Sequence, residues 1–371
     1  MPSEPQPEGI TEIGDNEGVI ARFLILLLLL LALSAACGGD GDPSATDRPQ
    51  APQKPTLTAE PSESPDENGL GTWQTLAPMP TPRTEVAVAA LHGLIYVIGG
   101  FEADGSPSAK VEVYNPATDT WSEAAPLPEA RHHAAAVELG RRIFLIGGFA
   151  TSFSDPQAGV WSYDPTDDSW SEEPPMNVAR GAHAAVGSRG SVFVVGGVGV
   201  AATNLASIEM MNTRPISWDV SAHSFSLPRD HLAVAAVEAS AGGDLLETLI
   251  YVVGGRLNLD YAQNVDRLES LHGSGALNVL LPAMPTARSG LAAAALEGRI
   301  YVFGGESPEG TFDENEAYDP ASDTWKTMAP MPTARHGLGA AVVGDTIYVI
   351  GGGPEPGLSV TGANEAYTPP R

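Results

Sequence analysis

Cysteine is nearly absent: Cys37 is the only one in 371 residues, so no intramolecular disulfide can hold the chain together. Basic residues are also scarce. Nineteen Lys and Arg stand against 46 Asp and Glu, a formal net charge of −27, which argues against nucleic acid or anionic lipid as partners. No apolar run is long enough to cross a bilayer comfortably. The stretch Phe23 to Ala36 is fourteen residues, which is instead the length of a signal-peptide core.

That stretch ends at the lone cysteine. Leu33-Ser34-Ala35-Ala36-Cys37 resembles a bacterial lipobox, in which small residues precede a cysteine that is lipidated after cleavage. Residues 1–36 therefore read as a lipoprotein-type signal peptide and Cys37 as the lipidation site. The leader departs from the usual pattern in carrying five acidic residues and one basic residue, Arg22; a start near Val19 would make it ordinary. Its removal leaves a net charge of −23. From Cys37 to residue 70 the chain is rich in Pro, Ser, Thr, Asp and Glu with few large apolar residues, and reads as a disordered tether. A flexible coil of this length reaches about 30 Å. The expected location is the outer side of a bacterial membrane, with the lipid as the only membrane contact.

What is abundant is glycine, 41 residues, and it is placed with a beat. Pairs occur at Gly99-Gly100, Gly147-Gly148, Gly196-Gly197, Gly254-Gly255, Gly304-Gly305 and Gly351-Gly352. A period near fifty residues marks a repeat architecture. An arginine stands sixteen positions before the first glycine in five repeats, at Arg83, Arg131, Arg180, Arg288 and Arg335; Arg229 stands twenty-five before Gly254, so about nine residues are inserted there. Downstream of three pairs a tyrosine is followed seven residues later by a tryptophan, Tyr114 and Trp121, Tyr163 and Trp170, Tyr318 and Trp325, with Met211 and Trp218 keeping the spacing after a fourth.

Arginine, an apolar stretch, a β-rich run ending in Gly-Gly, then Tyr and Trp: this phrase resembles the kelch repeat over residues 71–371. The resemblance implies an all-β, six-bladed kelch-type β-propeller, each blade four short antiparallel strands. In blade one the turn signals place the strands at 85–91, 94–99, 110–114 and 120–123. The last repeat lacks its Trp, since Tyr367 is followed by only four residues. Trp73 has no blade of its own and lies ten residues before Arg83, the spacing that separates Trp121 from Arg131 and Trp170 from Arg180. The strand around Trp73 is therefore expected to complete the sixth blade and close the ring.

In such a propeller the interblade links and the turns between second and third strands share one face. The arginines Arg83, Arg131, Arg180, Arg229, Arg288 and Arg335 ring that face, followed closely by Glu85, His132, His183, Asp230, His231 and His336. The variable loops after Gly-Gly add Glu102, Asp104, Phe153, Arg256, Asp260, Tyr261 and Phe312. One reading is a polar, aromatic-flanked mouth that takes an anionic or sugar-like ligand on convergent arginines. The other is that a residue repeated in every blade serves every blade, with Arg pairing to the acids before the Tyr slot, Glu112, Glu209, Asp266, Glu316 and Glu365. Irregular residues are then the better ligand candidates. The histidines come from separate blades at similar offsets, so no metal and no cofactor is expected.

These features point to an interaction module, expected to be monomeric, for a protein or glycan partner at the cell envelope, with no nucleic acid and no assigned catalytic residue. Some enzymes share the kelch fold, and two bear on this chain. Galactose-oxidase-type copper chemistry needs a cysteine that the propeller lacks, whereas a resemblance to sialic acid mutarotase would imply proton transfer on an acidic sugar, with Glu85, Asp230 and His231 as available groups. A structural envelope subunit is a further alternative. Blade four is irregular, with Leu268 in the Tyr slot and the insertion around residues 240–244; it is either a longer hairpin or a docking site. If the Trp73 strand closes the ring, deleting residues 71–76 should lower the unfolding midpoint of the whole domain, and an unchanged thermal melt would remove the closure.

Overall fold

The computed structural model describes residues 68–225, 227–240, 246–257, 260–264, 268–272 and 278–370. The apolar leader, Cys37, the tether up to residue 67, Asp266 and the insertion at 241–245 lie outside these residues. What is described is an all-β propeller.

Among the described residues, six four-stranded antiparallel sheets make up the propeller, five of them with their strands in sequence order from the inside outward. Blade one contains Ala87–Leu91, Leu94–Ile98, Val111–Asn115 and Thr120–Glu123. The sixth sheet is built from both ends of the chain: Gly339–Val343, Thr346–Ile350 and Asn364–Thr368 from the C-terminal side, and Thr72–Thr75 as the outermost strand. Trp73 stands opposite Tyr367, just as Trp121 stands opposite Tyr114 and Trp170 opposite Tyr163. The first strands adjoin one another in succession, and that of blade six adjoins that of blade one.

The core lies between blades rather than inside any one of them. Ala87, Ala89, Tyr96, Ile98 and Val111 of blade one pack on Ile143, Leu145, Trp161 and Tyr163 of blade two. Across the closure, Val86, Ile95, Val97 and Tyr114 pack on Ala341 and Ile350. Each buried aliphatic or aromatic side chain contributes about 1.5–3 kcal/mol, so a blade alone would leave both faces wet and unstable. Small residues crowd the axis, where three consecutive residues from each first strand, such as Ala293–Ala295, surround a channel of about 300 Å³.

The outer strands are stapled to the link that enters each blade. Trp121 Nε1–H donates to Ala77 O at 2.8 Å, Trp170 to Ala125 O at 2.9 Å, Trp218 to Pro174 O at 2.8 Å and Trp325 to Pro282 O at 3.0 Å. Trp73 makes the same bond to Ala329 O at 2.8 Å. In blades one, two and five the Tyr adds a second tie to an Asp: Tyr114 Oη donates to Asp119 at 2.8 Å, and Asp119 accepts from the Ala77 amide at 2.8 Å. The seven-residue Tyr–Trp spacing is thus the length of a hairpin that puts both rings side by side.

Gly-Gly is the latch between blades. The second glycine donates its amide to the carbonyl of the next blade's arginine, from Gly100 to Arg131 at 2.8 Å, through Gly148 to Arg180 at 2.9 Å, and finally Gly352 to Arg83 at 2.9 Å. The first glycine has no room for a side chain: a Cβ at Gly147, where φ is +60°, would sit 2.6 Å from Arg180 O.

A second cycle lies closer to the axis. Glu85, His133, Ala182, His231, Gly290 and Gly337 each follow their arginine by two, and all six have φ between +51° and +64°. The Glu85 amide donates to Gly337 O at 2.7 Å, His133 to Glu85 O at 3.1 Å, Ala182 to His133 O at 3.0 Å, His231 to Ala182 O at 2.9 Å, Gly290 to His231 O at 2.9 Å and Gly337 to Gly290 O at 2.9 Å. One hydrogen bond per blade closes the circle. Four of these residues carry side chains despite the left-handed conformation, which costs roughly 1–2 kcal/mol each.

Blade four carries its insertion as longer strands. Ala233–Ser240 pairs with Leu246–Val253 out to Ser240 opposite Leu246, which extends the hairpin away from the arginine face. A comparison of two glycines tests the latch. Gly147→Ala should cost about 1–3 kcal/mol more in urea unfolding than Gly140→Ala, because Gly140 has a similar φ of +70° but open space around it; equal costs would mean that the close approach carries no weight.

Candidate functional site

The six arginines of the sequence pattern do not converge on the mouth. Arg83, Arg180, Arg229, Arg288 and Arg335 are fully buried and Arg131 is 2% exposed. Arg83 donates to Gly99 O at 2.5 Å, Lys110 O at 3.1 Å and Glu112 Oε2 at 2.7 Å. Arg180 repeats this with Gly196 O at 2.9 Å and Glu209 at 2.8 Å; Arg288 and Arg335 do so with Glu316 and Glu365, both at 2.5 Å. Burial pulls the guanidinium pKa of Arg83, Arg180 and Arg335 down while the partner carboxylates oppose it. This geometry fits the reading in which the arginines serve their own blades and speaks against convergent anion capture: Arg83, Arg180, Arg288 and Arg335 satisfy the strand carbonyls behind their own Gly-Gly, whereas Arg131 bonds Ala130 O and Glu129.

Blade two shows the rule by breaking it. Its acid slot holds Trp161, opposite Leu145 as Glu112 is opposite Val97. Arg131 lies over the Trp161 ring at 4.7 Å and pairs with Glu129 at 2.6 Å, a cation–π contact in place of the buried ion pair. In blade four Arg229 lies 4.9 Å over Phe225.

At the mouth itself stand the residues that the closed backbone cycle and its neighbours project inward. A cavity of about 280 Å³ is bounded by Thr84, Glu85, Phe101, His133, Phe153, His231, Arg256, His336 and Leu358. A smaller one of about 100 Å³ continues down the axis past His183 and Leu232. Phe101 stacks on His132 at 3.9 Å, and Phe153, 38% exposed, meets the His133 ring at 5.1 Å. Leu358 is 58% exposed. These three apolar side chains form a rim over a polar floor.

On that floor one guanidinium faces three carboxyls. Arg256 Nε donates to Asp230 at 3.0 Å and Nη1 to Glu306 at 3.2 Å, while Nη2 lies 3.1 Å from His231 Nε2. Asp230 also bonds His231 Nδ1 and accepts from Asn204 at 2.7 Å. His133 Nε2 lies 3.2 Å from Glu85 Oε2, and His336 Nε2 lies 3.8 Å from Glu85 and 3.6 Å from Glu306. Burial, reinforced by Glu306, pushes the Glu85 carboxyl up to about 8. Burial also lowers His132 and His336 to about 4, and pulls His133 and His231 down, so the imidazoles are neutral. Burial raises Asp230, but His231 and Arg256 outweigh it and hold the carboxyl below its ordinary range.

Glu102, Asp104, His183 and Phe312 are not among the residues that bound this cavity. Glu102 accepts from Ser108 at 2.8 Å, and Asp104 is exposed and held below its usual range by Ser106. Phe312 is half-buried in the loop that its backbone bonds to Gly305 and Arg335. Asp260 and Tyr261 belong to a short strand, Asp260–Asn264, paired with Arg256–Leu257. His183 is buried and pushed down to about 3. Thr84, His133 and Glu306 also stand at this floor, and the sequence places them on the arginine face, the first two just behind their arginines and the third in the loop after its Gly-Gly. The signal for His133 was the second position after each arginine, which always faces the axis; Glu306 follows its Gly-Gly directly, as Phe101 and Arg256 follow theirs.

With this geometry in hand, the comparisons agree on the repeat. The family model for the Kelch motif matches residues 82–128, 130–177 and 287–332. Kelch-like protein terF of Aspergillus terreus is 30% identical over 279 residues, covering 70% of this chain and 47% of that protein, so the chain spans about half its length. The human Kelch-like protein 30 is 53% identical over 47 residues, 13% of this chain and 8% of that one. Among solved structures YjhT superposes with a TM-score of 0.64 at 15% identity, over 78% of this chain and 96% of YjhT, a likeness of fold. The chain is an all-β propeller with kelch repeats.

If the arginine pairs are structural, their cost of loss separates sharply from that of surface pairs. Glu112→Leu strands the Arg83 charge and should destabilise by about 3–5 kcal/mol. Asp164→Ala removes the solvent-exposed Arg142 pair at 3.1 Å and should cost under about 1 kcal/mol. Urea unfolding of both variants checks this, and a small loss for Glu112→Leu would reopen a ligand role for the arginines.

Proposed function

We propose that the protein is an interaction module, exported and lipid-anchored through Cys37, whose axial mouth receives one neutral or positively charged group of a protein or glycan partner at the cell envelope. The observation that carries this is the mouth itself: an apolar rim of Phe101, Phe153 and Leu358 above Glu85 and Arg256, with the buried carboxyls of Asp230 and Glu306 bonded behind that guanidinium. At about 280 Å³ the cavity suits a single sugar ring or one long side chain. Aromatic faces favour the apolar side of a sugar or a cationic group, and the excess of carboxyls disfavours an anion. The lipobox-like junction and the acidic, proline-rich stretch after it support export and tethering.

A second reading rests on Glu85. A carboxyl held protonated at neutral pH, 3.2 Å from a neutral histidine, is an acid beside a base, the equipment for proton transfer at a sugar anomeric centre of the kind sialic acid mutarotase performs. One set of measurements separates the two. Binding to envelope glycans and proteins should fall at least tenfold in the rim double variant Phe153→Ser, Leu358→Ser, and wild-type protein should leave anomeric exchange of free acidic and neutral sugars unchanged by proton NMR. Accelerated exchange abolished by Glu85→Gln would replace the binding reading with the enzymatic one; binding indifferent to the rim variant would remove the mouth as the docking point.

A further inference from the structure

Glu85, His133 and His231 come from blades one, two and four, yet their ligand atoms all lie within 4.8 Å of one another. Separate blades are no obstacle here, because the axis is where they meet. The three backbones are fixed by the closed cycle of amide bonds, so their side chains start from a rigid frame. Both imidazoles are also oriented from behind. His231 Nδ1 is bonded to Asp230 and His133 Nδ1 lies 2.7 Å from His132 Nδ1, which leaves each Nε2 on the far side of its ring, that of His133 3.2 Å from Glu85 and that of His231 beside Arg256. A carboxylate behind a histidine is the arrangement that fixes ring and tautomer in metal sites.

We propose that Glu85, His133 and His231 bind one divalent first-row transition ion of the zinc class, with its remaining coordination positions open to the mouth. Two imidazoles and one carboxylate with open positions are a donor set for such ions. Bonds of about 2.0–2.2 Å place tetrahedral donors about 3.4 Å apart. His133 Nε2 and Glu85 Oε2 already stand at 3.2 Å, and the widest pair, within 4.8 Å, closes to that spacing by at most about 1.4 Å of side-chain movement. His336 Nε2, 3.8 Å from Glu85, is within reach as a fourth donor.

Charge points the same way. With the ion present, the carboxylates of Glu85, Asp230 and Glu306 balance its two charges and that of Arg256. Without it, three carboxyls share one guanidinium, two more than its charge can balance as carboxylates. The cost is local: Arg256 Nη2 lies at the His231 Nε2 lone pair at 3.1 Å and must withdraw, keeping its bonds to Asp230 and Glu306. The site stands independently of which partner docks above it.

The test uses untagged full-length protein, stripped with chelator and titrated with Co²⁺ alone. Ligand-field absorption should saturate at one equivalent per chain and be displaced by Zn²⁺. Glu85→Gln and His231→Asn should each weaken binding at least tenfold, while His92→Asn, an exposed histidine, should leave it unchanged. The metal should also raise the melting temperature of the wild type and not that of Glu85→Gln. Absence of saturable Co²⁺ uptake by the wild type overturns the proposal whatever the variants do, as does undiminished uptake by folded Glu85→Gln.

Discussion

Six amides at the propeller axis each donate to a carbonyl one blade away, and the chain can complete this cycle only if every blade presents the same residue in the left-handed conformation. Around it runs the second cycle, in which each Gly-Gly amide is received by the carbonyl of the next arginine. Together they convert six weakly cohesive sheets into a closed body. A four-stranded sheet with two apolar faces has little reason to persist alone, but each blade here is both covered and hydrogen-bonded by its neighbours. Conformational strain at Glu85, His133, Ala182 and His231 is held because the ring over-determines it.

The buried arginines follow from that geometry. Positive φ at each Gly-Gly turns strand carbonyls inward, away from any strand partner, and a buried carbonyl without a donor is costly. A guanidinium has enough donors, in a planar fork, to serve two or three carbonyls and a carboxylate at once. Arg83 does this with Gly99, Lys110, Val97 and Glu112. The glutamate then cancels a charge that would otherwise be unpaired in the interior. Where blade two lacks the glutamate, an exposed Glu129 and the face of Trp161 take its place, so the requirement is for compensation and not for one residue type.

Much of this was legible in the order of residues. Gly-Gly, Arg and Trp recur because each answers a demand made in every blade, and repetition makes such demands visible. Trp73 could be assigned across almost 300 residues of chain because its spacing to Arg83 copied that of Trp121 to Arg131. The mouth was only half legible. Arginine spacing located its face, but spacing cannot say whether a side chain points into the channel or back between sheets; that is decided by φ at the next residues. Arg256 and Glu306 share a repeat position with Phe101, Phe149 and Val198, and nothing local to either sequence reveals that they meet at 3.2 Å across a blade boundary.

The same constraint that fixes the backbone leaves chemistry free. At the axial position the main chain is identical in all six blades, while its side chains run Glu, His, Ala, His, Gly and Gly. A hydrogen-bonded amide and carbonyl are demanded there, a particular Cβ substituent is not, and each substituent necessarily points toward a common centre. Convergence of titratable groups therefore comes with ring closure, without any one blade having to build a site. Blades five and six leave space at this level, blades one, two and four fill it with Glu85, His133 and His231, and the resulting asymmetry gives an otherwise repetitive scaffold one distinct side on which a ligand can be oriented.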